Sequence, residues 1–330
     1  MEMGAPLPDF LSGLPTKVLL MINDRIPCLV QRRRLAQACP AIRNAIRSQQ
    51  QQPASRQLPW ILLPRADGPS FSCVLRGCDT NSHDVDVPAD ARAVRYFGTY
   101  EGGCVSAAPK AQTDGHTLLN IRTHQRFGIP DVVNLGGALN FDIRTAIVAA
   151  TLSSPPEHEH CVVAAICCFA PRQLVRGPCV RAFWHLGHPV PMNNDEAATA
   201  AFTGPNLEDV IHHDGAFHFL TDEEDLPVFE PLVHDDGRLE MISIGTRRFG
   251  HHRHYDGDAH IRYLVESREQ LLMVVRLTPH LRQPMAAFRV FQMMQAHVSD
   301  SDGDDGGYNI AEYTWNETAP DPTKWPTTLG

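Results

Sequence analysis

No stretch of this chain is apolar for long enough to cross a membrane as a helix, which takes roughly 18 to 20 residues. Its opening, MEMGAPLPDFLSGLPTK, also lacks the basic start, apolar core and small-residue cleavage site of a secretory leader. The expectation is an intracellular protein of the cytoplasm and/or nucleus, with no membrane partner. Basic residues are outnumbered too: 29 Lys and Arg face 38 Asp and Glu, a formal net charge of -9. Binding to nucleic acid draws on basic surfaces, so no nucleic-acid partner is expected. Several catalytic signatures are missing. There is no Gly-rich loop ending in Lys-Ser or Lys-Thr, no Gly-x-Ser-x-Gly elbow, no His-Glu-x-x-His and no Cys-x-x-Cys. The nine cysteines, an odd number without paired spacing, read as reduced and mostly buried thiols.

Turn formers are plentiful, with 26 Pro and 23 Gly, and from Leu58 onward they separate short β-favouring runs such as WILLP, FSCVL, TLLNI, HCVVAAICCF and AFRVFQM. RYLVESREQLLMVVRL, Arg262 to Leu277, reads as two strands joined by a tight polar turn. Glu266 and Glu269 there are solvated turn residues rather than an acid/base pair, which would need a cleft to separate their pKa values. Asp214-Gly215 is the clearest hairpin signal, because a two-residue turn with positive φ suits Asp-Gly; Asp236-Gly237 is a second. The count comes to roughly fifteen or sixteen strands, so the fold class is mainly β: a sandwich, barrel or propeller.

The first 47 residues differ. Leu14, Val18, Leu19, Ile22 and Ile26 recur at helical spacing, with Pro15 near the start and Pro27 as the stop. CLVQRRRLAQAC and PAIRNAI suggest two further short helices, Arg32 to Arg34 reading as a solvated face. RSQQQQPASRQ has no apolar face and suits a linker. The expected division is a helical domain over 9–47, a linker over 48–57, a β domain over 58–298, and an acidic loop, a partial strand and an irregular tail over 299–330.

Other clusters invite a metal. HHRHYDGDAH holds His251, His252, His254, Asp256, Asp258 and His260, and HEH spans His158 to His160. Both lie in expected loops without a scaffold to fix ligand geometry, so no metal or cofactor is expected. A metal-dependent enzyme using the 251–260 cluster is the third reading of function. The acidic loop after Val298 fails the calcium-loop register: with Gly306 and Glu312 in place, Ser301 and Gly303 fill ligand positions that need carboxylates. Trp60, Trp184, Tyr263 and Phe288 read as core.

In order along the chain, LPTKVLLMINDRIP…ACPAI, LPWILLP, LLNIRTHQRFGIP, LEDVIHHDGAFHFLT and RYLVESREQLLMVVR resemble a plant family: F-box proteins with a C-terminal KIB-type β-propeller. The resemblance implies a diverged β-propeller preceded by a small helical F-box-like unit. It implies a non-catalytic substrate-recognition adaptor of an SCF-type, cullin-based ubiquitin ligase. Leu14, Pro15, Leu19, Ile22, Cys39 and Ile42 would meet a Skp-type adaptor and the propeller an unknown protein target. The chain departs from the pattern at Lys17, where an acidic residue is usual, and at Ile42, where a tryptophan is usual, with Pro40 interrupting a helix there. A stand-alone propeller with a degenerate F-box is therefore the alternative. After EYTWNE the pattern gives way to TAPDPTKWPTTLG, so the last blade is expected to be incomplete.

Overall fold

The computed structural model describes residues 11, 13–26, 28–48, 60–63, 69–73, 87–89, 92, 95–100, 104–108, 116–120, 123–130, 132–135, 141–169, 179–186, 205–249, 255, 259–278, 287–295 and 313–318. The chain divides into two compact units, 1–93 and 94–330. The first holds α1 (Thr16–Arg25), α2 (Leu29–Ala38), α3 (Pro40–Ser48) and an antiparallel pair, β1 (Trp60–Leu63) with β2 (Ser70–Cys73). Ile26 turns extended after α1, as a residue before proline must. Pro40 does not interrupt a helix: Cys39 is extended, and Pro40 opens α3 at a position that has no N–H bond to lose.

Among the described residues, the second unit is four antiparallel sheets of four strands, each a meander. The first comprises β3 (Arg95–Tyr100), β4 (Cys104–Ala108), β5 (His116–Asn120) and β6 (Arg126–Ile129). The second comprises β7 (Val132–Leu135), β8 (Phe141–Leu152), β9 (Val162–Phe169) and β10 (Cys179–His185). In it β8 changes partner along its length, from β7 to β9. The third comprises β11 (Leu207–His213), β12 (Ala216–Thr221), β13 (Leu226–Val233) and β14 (Leu239–Arg247). The fourth comprises β15 (Ala259–Ser267), β16 (Gln270–Thr278), β17 (Ala287–Gln295) and β18 (Tyr313–Glu317). Strands β3, β8, β11 and β15 neighbour one another in that order, so the sheets succeed each other blade-wise. The fold is a mainly β propeller architecture with a small helical unit ahead of it.

Each sheet buries side chains against the next. Leu118 and Ile129 of the first sheet pack on Ile147, Val163, Ala165 and Trp184 of the second. The other face of the second sheet, with Val162, Ala164, Ile166 and Phe183, packs on Val210, Phe217, Phe219 and Phe229 of the third. Leu220 and Leu226 of the third meet Leu264, Met273, Val275, Phe291 and Trp315 of the fourth. Period-two alternation sends neighbours in β9 to opposite cores, which is why VVAAICC is apolar throughout.

The expected hairpins form. Asp214 and Gly215 both take positive φ, 50° and 78°, between β11 and β12. Between β15 and β16 the two turn residues are Arg268 and Glu269, also at positive φ although neither is glycine. Other expectations need correction. The last blade is not short of a strand: β18 pairs with β17 from Phe291↔Glu317 to Gln295↔Tyr313. The two-stranded sheet, among the described residues, is β1–β2. Tyr263 and Phe288 are 37% and 54% exposed rather than core, because they lie on the face of the fourth sheet turned away from the third; Trp184 is buried as expected. The Trp60 side chain lies outside the described residues. Finally, Cys168 and Cys179 are not thiols: as directly opposed partners on β9 and β10 they form a disulfide. Cys28, Cys39, Cys161 and Cys167 are buried and form no disulfide.

Charge also ties the third sheet to the fourth. Arg262 on β15 is buried; its Nη1 donates to both carboxylate oxygens of Glu208 at 3.0 Å and its Nε to Glu224 Oε1 at 3.1 Å. Glu224, 1% exposed, also accepts from Tyr255 Oη at 2.9 Å, and its carbonyl accepts from Trp315 Nε1 at 3.0 Å. Asp209 accepts the backbone N–H of Leu264 at 2.7 Å and of Val210 at 2.9 Å. Taking away one partner of a buried pair strands the other charge. Arg262→Ala is therefore expected to lower unfolding free energy by about 3–5 kcal/mol, read from the urea midpoint of the full chain; a loss below ~1 kcal/mol contradicts this.

Candidate protein-interaction surfaces

The helical unit is closed by arginines. Buried Arg32 donates Nε to the Ile26 carbonyl and Nη2 to that of Asp24 at 3.1 Å, at the end of α1. Arg43 does the same for α2, donating to Ala36 and Gln37 carbonyls at 2.9 and 2.6 Å. Cations suit the carbonyl end of a helix, where the last acceptors have no partner in the helix. Arg32 is thus a cap rather than part of a solvated face, whereas Arg33 and Arg34 are exposed.

Of the residues expected to meet an adaptor, Leu19, Cys39 and Ile42 lie in the core of the helices with Ala45, and Ile42 is fully buried. Leu14 and Ile22 are half-buried and Pro15 is exposed. The apolar side chains that α1 turns outward are Val18, 37% exposed, and Met21, 48% exposed. With Leu14 and Ile22 they form one stripe at helical spacing. Sequence periodicity included Val18 but missed Met21, because a 3.6-residue repeat marks apolar positions without saying which of them the other helices cover.

At one end of the second unit, hydrogen bonds join the turns of successive sheets. Asn120 Nδ2 at the end of β5 donates to Glu157 Oε1 in the β8–β9 loop at 3.3 Å. His185 at the end of β10 lies 2.6 Å from the Glu159 carbonyl and 3.0 Å from that of Gly237, in the β13–β14 turn. His213 Nδ1 lies 3.0 Å from Glu266 Oε2, so Glu266 is a cross-sheet partner and not a free solvated charge; Glu269 is exposed in its turn. Glu157, Glu159, Asp214, Asp235, Asp236 and Glu269 are exposed on these turns, with Arg126, Arg238 and Arg268 as the countercharge. This end is therefore a carboxylate- and histidine-rich surface on a rigid scaffold. Loops held on a scaffold in this way suit recognition.

Among the described residues no group of three or more His, Cys, Asp or Glu could hold a metal ion. The His158 and His160 rings stand 5.9 Å apart, and His260 leans on the Tyr255 ring at 4.9 Å. His251, His252, His254, Asp256, Asp258 and the acidic loop lie outside the described residues. No helix among the described residues is long and apolar enough to cross a membrane.

Two groups between the third and fourth sheets titrate abnormally, in opposite directions. Burial pushes the Asp209 carboxyl up to about 6, against the pull of its two backbone donors. Burial, reinforced by Arg247, lowers His218 to about 4; its Nε2 lies 3.1 Å from the His213 carbonyl and its Nδ1 is buried without a partner. As pH falls from about 6.5 to 4, the unfolded chain protonates His218 first and stability drops. Asp209 protonates first in the folded chain, so its contribution is full below about pH 4 and lost as pH rises through 6. The two slopes oppose. Asp209→Asn leaves the histidine uncompensated, and its thermal midpoint is expected to fall more steeply than that of the native chain between pH 6.5 and 4; parallel curves contradict this.

A search among curated proteins returns no match. The family model described as KIB1-4 beta-propeller matches residues 71–318, from within β2 to just past β18, which includes all four four-stranded sheets. The chain belongs to the KIB1-4 beta-propeller family.

Proposed function

We propose that this protein is a substrate-recognition adaptor of an SCF-type, cullin-based ubiquitin ligase, acting inside the cell in the cytoplasm and/or nucleus. Its helical unit docks on a Skp-type adaptor and its propeller holds a protein target at the end where the turns are joined. A propeller provides a protein-interaction surface without needing a catalytic group. The observation that carries the reading is the apolar stripe on α1. Val18 and Met21 are exposed while the helices' own core is filled by Leu19, Cys39, Ile42 and Ala45. A short amphipathic helix with a free apolar face binds by laying that face in a partner's groove. The alternative is a stand-alone propeller that binds its target without a ligase. It draws support from the inward placement of Leu19, Cys39 and Ile42, which leaves only part of the expected contact set outside.

Capture of a purified Skp-type protein by the full chain separates the two. Val18→Asp with Met21→Asp is expected to abolish capture while shifting stability by no more than about 0.5 kcal/mol, since both side chains are exposed. Ile42→Asp, at a fully buried position, serves as the unfolding control. Capture that survives the double substitution rules out this stripe as the docking face, and no capture by the native chain favours the stand-alone reading.

A further inference from the structure

His185 is 5% exposed, and both of its ring nitrogens face backbone carbonyl oxygens. Nε2 lies 2.6 Å from Glu159 O in the β8–β9 loop of its own sheet. Nδ1 lies 3.0 Å from Gly237 O in the β13–β14 turn of the next sheet. A carbonyl oxygen can only accept. A neutral imidazole carries one N–H, so in that form the second nitrogen would turn its lone pair toward an oxygen at hydrogen-bond distance. Only the imidazolium donates at both ends. Its bonds would be charge-assisted.

We propose that His185 is a proton-gated clamp between the second and third sheets: as imidazolium it holds the 153–160 loop and the 234–238 turn together, and on losing one proton it releases one of them. The shorter contact keeps the remaining N–H, so the bond that opens is the one to Gly237. That bond crosses between sheets, so its loss frees a turn at the end of the propeller where the others are joined. Charged and titratable groups lie on both elements that face the ring. His160 stacks on it at 6.3 Å and pairs with Glu159 at 3.4 Å, with His158 and Glu157 on the same loop. His234, Asp235, Asp236 and Arg238 belong to the facing turn. Cys161 lies beneath the loop, its buried thiol donating to the Ser154 carbonyl at 3.1 Å. The turn is also held by Gly237 N–H donating to the His234 carbonyl at 2.8 Å, by His234 N–H donating to the Arg238 carbonyl at 2.9 Å, by Arg238 N–H donating to Asp236 Oδ1 at 3.0 Å and by the His234 ring, 2.9 Å from Glu240 Oε2. None of those bonds spans the two sheets.

The inference does not depend on which protein the propeller binds. The test uses the full chain labelled with nitrogen-15 at histidine, followed from about pH 5 to 8, the range in which imidazole charge changes. Two ring N–H signals for His185 are expected at the acidic end and one at the basic end. Amide exchange at Gly237 and Arg238, corrected for its intrinsic pH dependence, should rise as the second signal is lost. His185→Gln offers one donor and one acceptor at every pH, so at the same amides it should lose the part of the response that tracks the His185 ring signal. A single ring N–H throughout the range overturns the clamp. So does exchange that is flat with pH in the native chain, or that follows the native curve in His185→Gln. If the substituted chain fails to fold, the native ring signals still decide.

Discussion

A sheet covered on both sides has no water to offer its side chains, so both of its faces must be apolar and small enough to let neighbours approach. The second sheet lives under that constraint, and β9 is its centre. Val163, Ala165 and Cys167 serve one core while Val162, Ala164 and Ile166 serve the other. Alanines at adjacent positions keep that middle strand thin, and bulk comes from the flanking sheets, with Phe217, Phe219 and Phe229 converging on Phe183. Buried aromatics in tilted and edge contact supply much of the apolar area that holds such layers.

Between the third and fourth sheets a different solution appears. Apolar packing there is joined by buried Arg262 and Glu224 and by half-buried Glu208 and Asp209. A buried ion pair adds less net stability than its geometry suggests, since desolvation offsets the attraction, but it tolerates few alternative arrangements. Its members come from β11, the turn after β12, and β15. Those are the parts that must meet at one angle for the sheets to succeed each other. The helical unit follows similar logic on a smaller scale: arginine guanidinium groups from α2 and α3 settle the carbonyls left over at the preceding helix ends.

Local chemistry made a good share of this legible before any coordinates. Asp214-Gly215 could be read as a hairpin turn because few residue pairs tolerate two successive positive φ values, and Ile26 before Pro27 could be read as a helix end. The order of motifs pointed to the propeller, and the family match over 71–318 agrees with it. Other features were hidden. Glu224 sits in a run of four acids, Asp222 to Asp225, with no local sign that it is buried against Arg262, 38 residues away. Cys168 and Cys179 gave no spacing signal because their pairing follows from strand register. Tyr263 and Phe288 could not be told from core aromatics, since alternation assigns two faces without saying which is covered.

What the sequence by itself determined is therefore the set of local conformations: three short helices, a series of antiparallel hairpins, and a composition without the signatures of a phosphate loop, a nucleophile elbow or a membrane span. Each of these depends on residues within a turn or two of each other, where backbone sterics and side-chain periodicity act directly. Tertiary structure alone decided which half of α1 stays in water, which carboxylate finds the guanidinium of Arg262, and which two carbonyls close on His185. Those outcomes rest on contacts between residues far apart in the chain, whose energies exist only once the sheets have stacked.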